Sequence, residues 1–286
     1  RQSLVYEMVD KRHLANALAL NSSMVNLSRL VGPAIAGLVI EHFGNDVCFG
    51  LNSLSFLAVI VSLLMMKLPE PVLHPRNKNV WEQLREGIAY VRATPEIAFV
   101  LGMLALMGFF VLPFTTLLPV YAKDIFHGTA STFGIIDSAI GLGAFAGALF
   151  LASLRPGSDL RKVLGINSFV FGIGLLLFSH MSVYPLALFF AAVAAFGMMS
   201  QFTVSNTLVQ ITVDPLMRGR VISLYAMVLF GLPPLGGLLI GLLSQYIEVE
   251  NIILAEGVMA LLIGLLHFRF LRHHRMKSRA GAQAPE

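Results

Sequence analysis

NSSMVNLSRLVGPAIAGL, residues 21–38, is apolar enough for lipid, yet it carries Arg29 near its middle with Asn26, Ser28 and Pro33 beside it. Ser22, Asn26, Arg29 and Pro33 fall at i, i+4, i+7 and i+11, so they share one helical face. A central arginine turned to lipid costs at least about 2.5–3.5 kcal/mol on insertion scales. That face is therefore expected to look into a cavity or onto a partner helix. Two roles are open to it. It is a cavity stripe that binds polar groups of a substrate or pairs with a carboxylate during a transport cycle, or it is a structural ion pair that holds the bundle. The partner of Arg29 is expected in helices ahead of Arg1.

Working outward, eight runs meet the spanning criterion of about 17–25 predominantly apolar residues: 14–40, 47–67, 97–120, 132–154, 163–181, 183–212, 219–246 and 250–271. The runs are too long for strands and lack dyad alternation, whereas helices satisfy their own backbone groups in hydrocarbon. The chain of 286 residues is 56% hydrophobic and 13% charged, with a mean hydropathy of +0.77. A soluble globule cannot hide that much apolar surface, since ordinary domains carry about 25% charged residues. The fold class is an all-α integral membrane protein.

The net charge of +4 is explained by placement rather than by a nucleic-acid partner. With the segment before residue 14 on the cytoplasmic side, 18 of the 20 Lys and Arg fall inside, Lys123 alone falls outside, and Arg29 lies within the membrane. The positive-inside rule thus orients the chain. FRFLRHHRMKSR, residues 268–279, becomes a basic cytoplasmic anchor against anionic lipid. Cys48 is the single cysteine, so neither a disulfide nor a cysteine-based metal site is encoded. No cofactor is expected.

The longest polar segment, 68–96, divides the chain. Within it Trp81, Leu84, Ile88 and Val91 recur at helical spacing, which predicts an amphipathic helix on the cytoplasmic surface. Thr94 and Pro95 read as cap and first turn of the next span. Residues 4–37 also align on residues 208–241 at a constant offset of 204. Leu4, Val5, Val9, Asp10, Leu20, Gly32 and Gly37 then meet Leu208, Val209, Val213, Asp214, Leu224, Gly236 and Gly241. Such parallel repeats build transporters of two six-helix halves. The expected domains are 1–67, the end of an incomplete N-terminal bundle; 68–96, a cytoplasmic linker; 97–271, a C-terminal six-helix bundle; and 272–286, a basic tail. By the same offset roughly 110 residues should precede Arg1 in a parent of about twelve helices, which makes the chain a fragment.

LANALALNSSMVNLSRLVGPAIAG (14–37), FGLNSLSFLAVI (49–60), LREGIAYVRATPEI (84–97) and RGRVISLYAMVLFGLPPLGGLLIG (218–241) resemble the major facilitator superfamily, and within it the branch of drug and siderophore exporters. The resemblance implies about eight spanning helices of an expected twelve, two bundles around a central cavity, alternating access, and export driven by proton exchange in a bacterial inner membrane with a cytoplasmic C-terminus. The superfamily's Gly-rich cytoplasmic loop motif is only dimly echoed in LASLRPGSDLRK, residues 151–162. Arg155, Asp159, Arg161 and Lys162 bring charge there without the standard spacing.

Candidate residues follow from polar groups in apolar surroundings. Asp137 and Glu256 are intramembrane acids near outer helix ends, and protonatable carboxyls in such sites suit proton exchange. The other reading puts both at wet helix ends. Ser200, Thr203, Thr207 and Gln210, with Asn206 adjacent, form a second polar stripe, either pathway lining or interhelix hydrogen-bonding glue. Gly143 and Gly147 of GLGAFAG make a GxxxG packing pair rather than a dinucleotide loop. Gly32 with Pro33, and Pro233 with Pro234, are hinge or packing candidates, the tandem prolines predicting a kink. Asp214, Arg218 and Arg220 surround a cytoplasmic turn and are candidates for a latch between bundles. Together these point to a secondary transporter whose partners are a small amphipathic molecule, a coupling proton and the bilayer. Two further classes stay open: the membrane subunit of an ATP-driven pump, without a GxxxxGK[ST] motif of its own, and a non-transporting fragment. An intramembrane enzyme ranks last, since no HExxH occurs.

Overall fold

The structure is a computed structural model that describes residues 14–65, 79–155 and 157–282, with the side chains of 14–23, 26 and 273–282 outside the described set. The repeat residues Leu4, Val5, Val9 and Asp10 and the first part of the linker fall outside it, as do the side chains of Ser22 and Asn26.

All regular structure among the described residues is helical: α1 Leu14–Met65, α2 Val80–Ala93, α3 Pro95–Phe110, α4 Phe114–Asp124, α5 Ala130–Ala152, α6 Leu160–Ser179, α7 Tyr184–Thr212, α8 Arg218–Leu243 and α9 Val249–Ala282. Seven described segments are long and apolar enough to cross a membrane. The first of them belongs to α1. At about 1.5 Å per residue a helix of 52 residues exceeds twice the roughly 30 Å hydrocarbon core. It is divided at Gly44, whose φ of 84° and ψ of 169° leave the helical region where a residue without Cβ does so cheaply. The break falls between the runs 14–40 and 47–67, as their polar junction EHFGND indicates.

The run 97–120 is one candidate span, Pro95–Asp124, interrupted inside because Pro113 lacks an N–H and the ladder closes early, with the N–H groups of Val111 and Leu112 both donating to Met107 O. The last helix, α9, runs on to Ala282. One expectation needs correction. In α2 the expected face is shifted. Leu84, Gly87, Ile88 and Val91 turn inward, with Gly87 buried against Arg220 and Leu224 of α8, while Trp81 is 76% exposed. Thr94 does occupy the cap of α3 with Pro95 in its first turn, although its side chain makes no cap bond.

In hydrocarbon, apolar side chains gain little by leaving lipid, so helices associate through small residues that permit close backbone approach. The bundle of α3–α9 follows that rule. Gly143 and Gly147 of α5 lie against Ala192 and Phe196 of α7, Gly174 of α6 against Ala194, Gly172 of α6 against Gly257 and Leu261 of α9, and Gly236 of α8 against Phe109 and Pro113. An aromatic centre of Phe114, Tyr121, Phe171 and Phe178, all fully buried, fills the space between α4 and α6. The Tyr121 hydroxyl donates to Phe178 O at 2.8 Å, where α6 runs out of donors for its last carbonyls. Pro233 and Pro234 lie inside α8, which remains one helix from Arg218 to Leu243. Pro233 rests on Gly108 of α3.

Candidate functional site

The first arm of α1 is held to the bundle through α5, and the residues that allow this run along both helices in opposite directions. Gly37 meets the backbone of Ala130 and Ser131, Gly134 meets the Pro33 carbonyl, and Gly141 meets the Arg29 carbonyl, each so closely that a Cβ on the glycine would strike main-chain atoms. Pro33 interrupts the hydrogen-bond ladder of α1. The next N–H, that of Ala34, is donated across the seam to Ser138 Oγ at 3.0 Å. At the other end of the seam the Glu41 carboxylate lies near the hydroxyls of Ser131 and Thr129, at a helix N-terminus that favours negative charge.

Within this seam the structure brings together two candidates that the sequence lists apart. Asp137 lies one turn from both Gly134 and Gly141 on α5, half-buried, and the charge of Arg29 acts on its carboxyl. Asp137 thus offers Arg29 a carboxylate within electrostatic reach in the second half of this chain. Arg29 itself is exposed on the flank of the seam rather than enclosed. Gly32 meets open space, so the packing role belongs to Gly37. In α8 the roles of the registered glycines are exchanged, with Gly236 packed and Gly241 open.

The stripe on α7 divides. Ser200 is fully buried with its hydroxyl unpartnered. Thr203, Asn206 and Thr207 are half-buried and Gln210 is exposed. Thr207 Oγ1 donates back to Thr203 O at 2.8 Å, and Gln210 Nε2 donates to Asn206 Oδ1 at 3.0 Å. Among the described residues these bonds are internal to α7. The glue lies a residue away. Gln201, buried, donates to Ser168 Oγ of α6 at 2.5 Å.

Glu256 is not at a wet helix end. It is 4% exposed, neither carboxyl oxygen has a hydrogen-bond partner among the described residues, and its helical face carries Ile252, Ile253, Ala260 and Ile263 of the apolar core. That environment accommodates a neutral group far better than an ion.

Where α7 turns into α8, Arg220 Nη2 lies 3.1 Å from Glu86 Oε2 of α2, and the Asp214 N–H donates to the Tyr90 hydroxyl at 3.0 Å. Asp214 and Arg220 therefore engage the linker helix, while Arg218 is exposed. Arg161 of the loop echo pairs with Glu96 of α3 at 2.5 Å, and its carbonyl lies 2.7 Å from His267 Nε2 of α9. Asp159 caps α6 by accepting from the Lys162 N–H at 3.3 Å. Glu41, Glu96, Gly134 and Ser138 went unnoticed in the sequence. For Gly134, Ser138 and Gly141 a signal exists, since they flank Asp137 at helical spacing.

A multi-pass helical bundle whose two parts meet along a glycine-lined, charge-bearing seam is the architecture of a membrane transporter of major facilitator type. The chain belongs to the transmembrane secretion effector family of that superfamily, whose family model matches residues 1–285. It is 24% identical to the staphyloferrin A transporter of Staphylococcus aureus, over 97% of this chain and 69% of that protein. It is 23% identical to the macrolide efflux protein A of Streptococcus pyogenes, over 91% and 65%. It is also 23% identical to the multidrug efflux pump Tap of Mycolicibacterium fortuitum, over 88% and 62%. The chain thus spans about two thirds of the length of these relatives. Its fold is that of a bacterial homologue of the human lysosomal transporter Spinster, solved inward-facing and unoccupied, with a TM-score of 0.59 at 14% identity over 93% of this chain and 72% of that one.

Proposed function

We propose that the protein exports small amphipathic molecules across a bacterial cytoplasmic membrane by alternating access, with α1 and the α3–α9 bundle rolling against each other along the α1–α5 seam. The observation that carries this reading is the seam itself. Small residues give two helices a smooth, close track, and an otherwise costly arginine is set beside an acid on that track. Exchange of a proton at Asp137, opposed by the fixed charge of Arg29, changes the charge of the seam by one unit and so biases its two positions. The exposed and half-buried polar face of α7, at Thr203, Asn206, Thr207 and Gln210, supplies hydrogen bonds to the passing molecule. The siderophore, macrolide and multidrug substrates in the relatives' names support polar, amphipathic cargo. The C-terminus is cytoplasmic in this reading, as the basic residues require.

The test is transport by the purified protein in proteoliposomes under an imposed proton gradient, with a macrolide and a carboxylate siderophore as probes. Accumulation that collapses with the gradient is the expected result. No movement of either probe under any ion gradient overturns the proposal.

A further inference from the structure

Between α2 and the cytoplasmic end of α8 lies a cavity of about 280 Å³, lined by Gln83, Gly219, Arg220 and Ser223 and by the apolar Val80, Leu84, Leu224 and Met227. We propose that it holds an anionic phospholipid of the cytoplasmic leaflet, the phosphate against Arg220 and an acyl chain leaving past Met227.

The lining has two ends of different chemistry, as a lipid has. Val80 is 68% exposed and Met227 62% exposed, so the apolar end opens outward along a helix that crosses the membrane. The polar end sits at the level where the spans meet the cytoplasm, the depth of lipid phosphates. Arg220 keeps binding capacity in reserve. Its Nη2 is engaged by Glu86 at 3.1 Å, but its Nη1 donates to the sulfur of Met217 at 3.0 Å. A thioether is a weak acceptor, and a guanidinium has five donors in a planar fork matched to phosphate. A phosphate oxygen is the stronger partner for that edge.

The exposed side of α2 carries one net positive charge. Trp81, Arg85 and Arg92 recur at i, i+4 and i+11 and are all exposed, with Glu82 the one exposed acid of the helix. An indole with two guanidiniums on the solvent side of an amphipathic helix matches the anionic headgroup layer. Gly219 shows how the cavity can be closed without breaking an ion pair, since a Cβ there meets open space.

Trp81 is the only tryptophan of the 286-residue chain and stands beside the cavity residue Val80, so its fluorescence reports on lipid at this end of α2, and the variants separate the cavity from the exposed stripe. The experiment places the purified protein in phosphatidylcholine nanodiscs doped with phosphatidylglycerol or phosphatidylcholine brominated on the upper acyl chain. Quenching by the brominated phosphatidylglycerol is expected to saturate at about a fivefold lower mole fraction than quenching by the brominated phosphatidylcholine. Arg220→Gln combined with Glu86→Gln, which removes both members of the ion pair together, is expected to erase the preference. Gly219→Leu is expected to remove the saturable component, and Arg85→Gln with Arg92→Gln to retain it. Equal quenching by the two lipids in the parent protein overturns the proposal. So does a preference that survives both cavity variants, because the lipid then sits on the exposed stripe. Absence of quenching by either lipid also overturns it, because protein then fills the cavity.

Discussion

Asp137 of α5 lies within electrostatic reach of Arg29 of α1, with Gly134 and Gly141 one turn to either side of it pressed against the Pro33 and Arg29 carbonyls. Charge and close packing therefore share one surface. Any motion between α1 and the bundle changes both together, and this separates the effects of mutation.

Asp137→Asn keeps the shape of the side chain and removes its charge. Transport in proteoliposomes is expected to fall by about tenfold or more while the yield and thermal stability of the purified protein stay near the parent value. Arg29→Ala should show the same division. Equal loss of folded protein and of activity in both variants would assign the pair to structure.

Gly141→Ala puts a Cβ into contact with the Arg29 carbonyl, and Gly134→Ala does the same at Pro33. Overpacking of this kind costs about 1–3 kcal/mol, so each should lower the melting temperature in detergent. Gly32→Ala is the control one turn away, where a Cβ meets open space. It should leave stability unchanged or raise it by up to about 1 kcal/mol, the helix-propensity difference between the residues.

Glu256 has both carboxyl oxygens buried and without a partner. Removing an unsatisfied polar group from an apolar core returns about 1–3 kcal/mol, so Glu256→Leu should raise the melting temperature and Glu256→Gln should be tolerated. A drop in stability for the leucine variant would mean that the acid has a partner. Loss of transport without loss of stability would place Glu256 in the proton path.

The Arg161 and Glu96 side chains are about two-fifths exposed, and exposed ion pairs contribute about 0–1 kcal/mol. Glu96→Gln is therefore expected to change stability by less than about 1 kcal/mol, with the difference vanishing at high salt. Gln201→Ala, by contrast, removes the buried bond to Ser168 and leaves a void. It should cost about 2–4 kcal/mol in the same thermal assay.

Most spans were legible because their signal is local. A run of about twenty apolar residues has one low-energy backbone in lipid, the helix, so 132–154, 163–181, 183–212 and 219–246 are found within three residues of their observed ends. What the sequence did not show has a physical cause. The span 97–120 is apolar throughout, and hydropathy does not register the break that Pro113 puts inside it. Trp81 obeys the apolar period of α2, yet it faces outward because α8 offers a surface only to Leu84, Gly87 and Ile88.

The sequence by itself determined that this is a polytopic helical membrane protein and that Arg29 needs a polar neighbour. These follow from composition and from periods of a few residues. Only the tertiary structure decided that the neighbour is Asp137, that Gly37 rather than Gly32 carries the packing, that Glu256 is sealed in the core, and that Arg220 engages Glu86 on the linker helix. Which faces meet depends on the rotation and depth of two helices whose contacts lie about a hundred residues apart in the chain. Between apolar helices in lipid that choice rests on small residues and single hydrogen bonds, too few and too scattered to leave a pattern along the sequence.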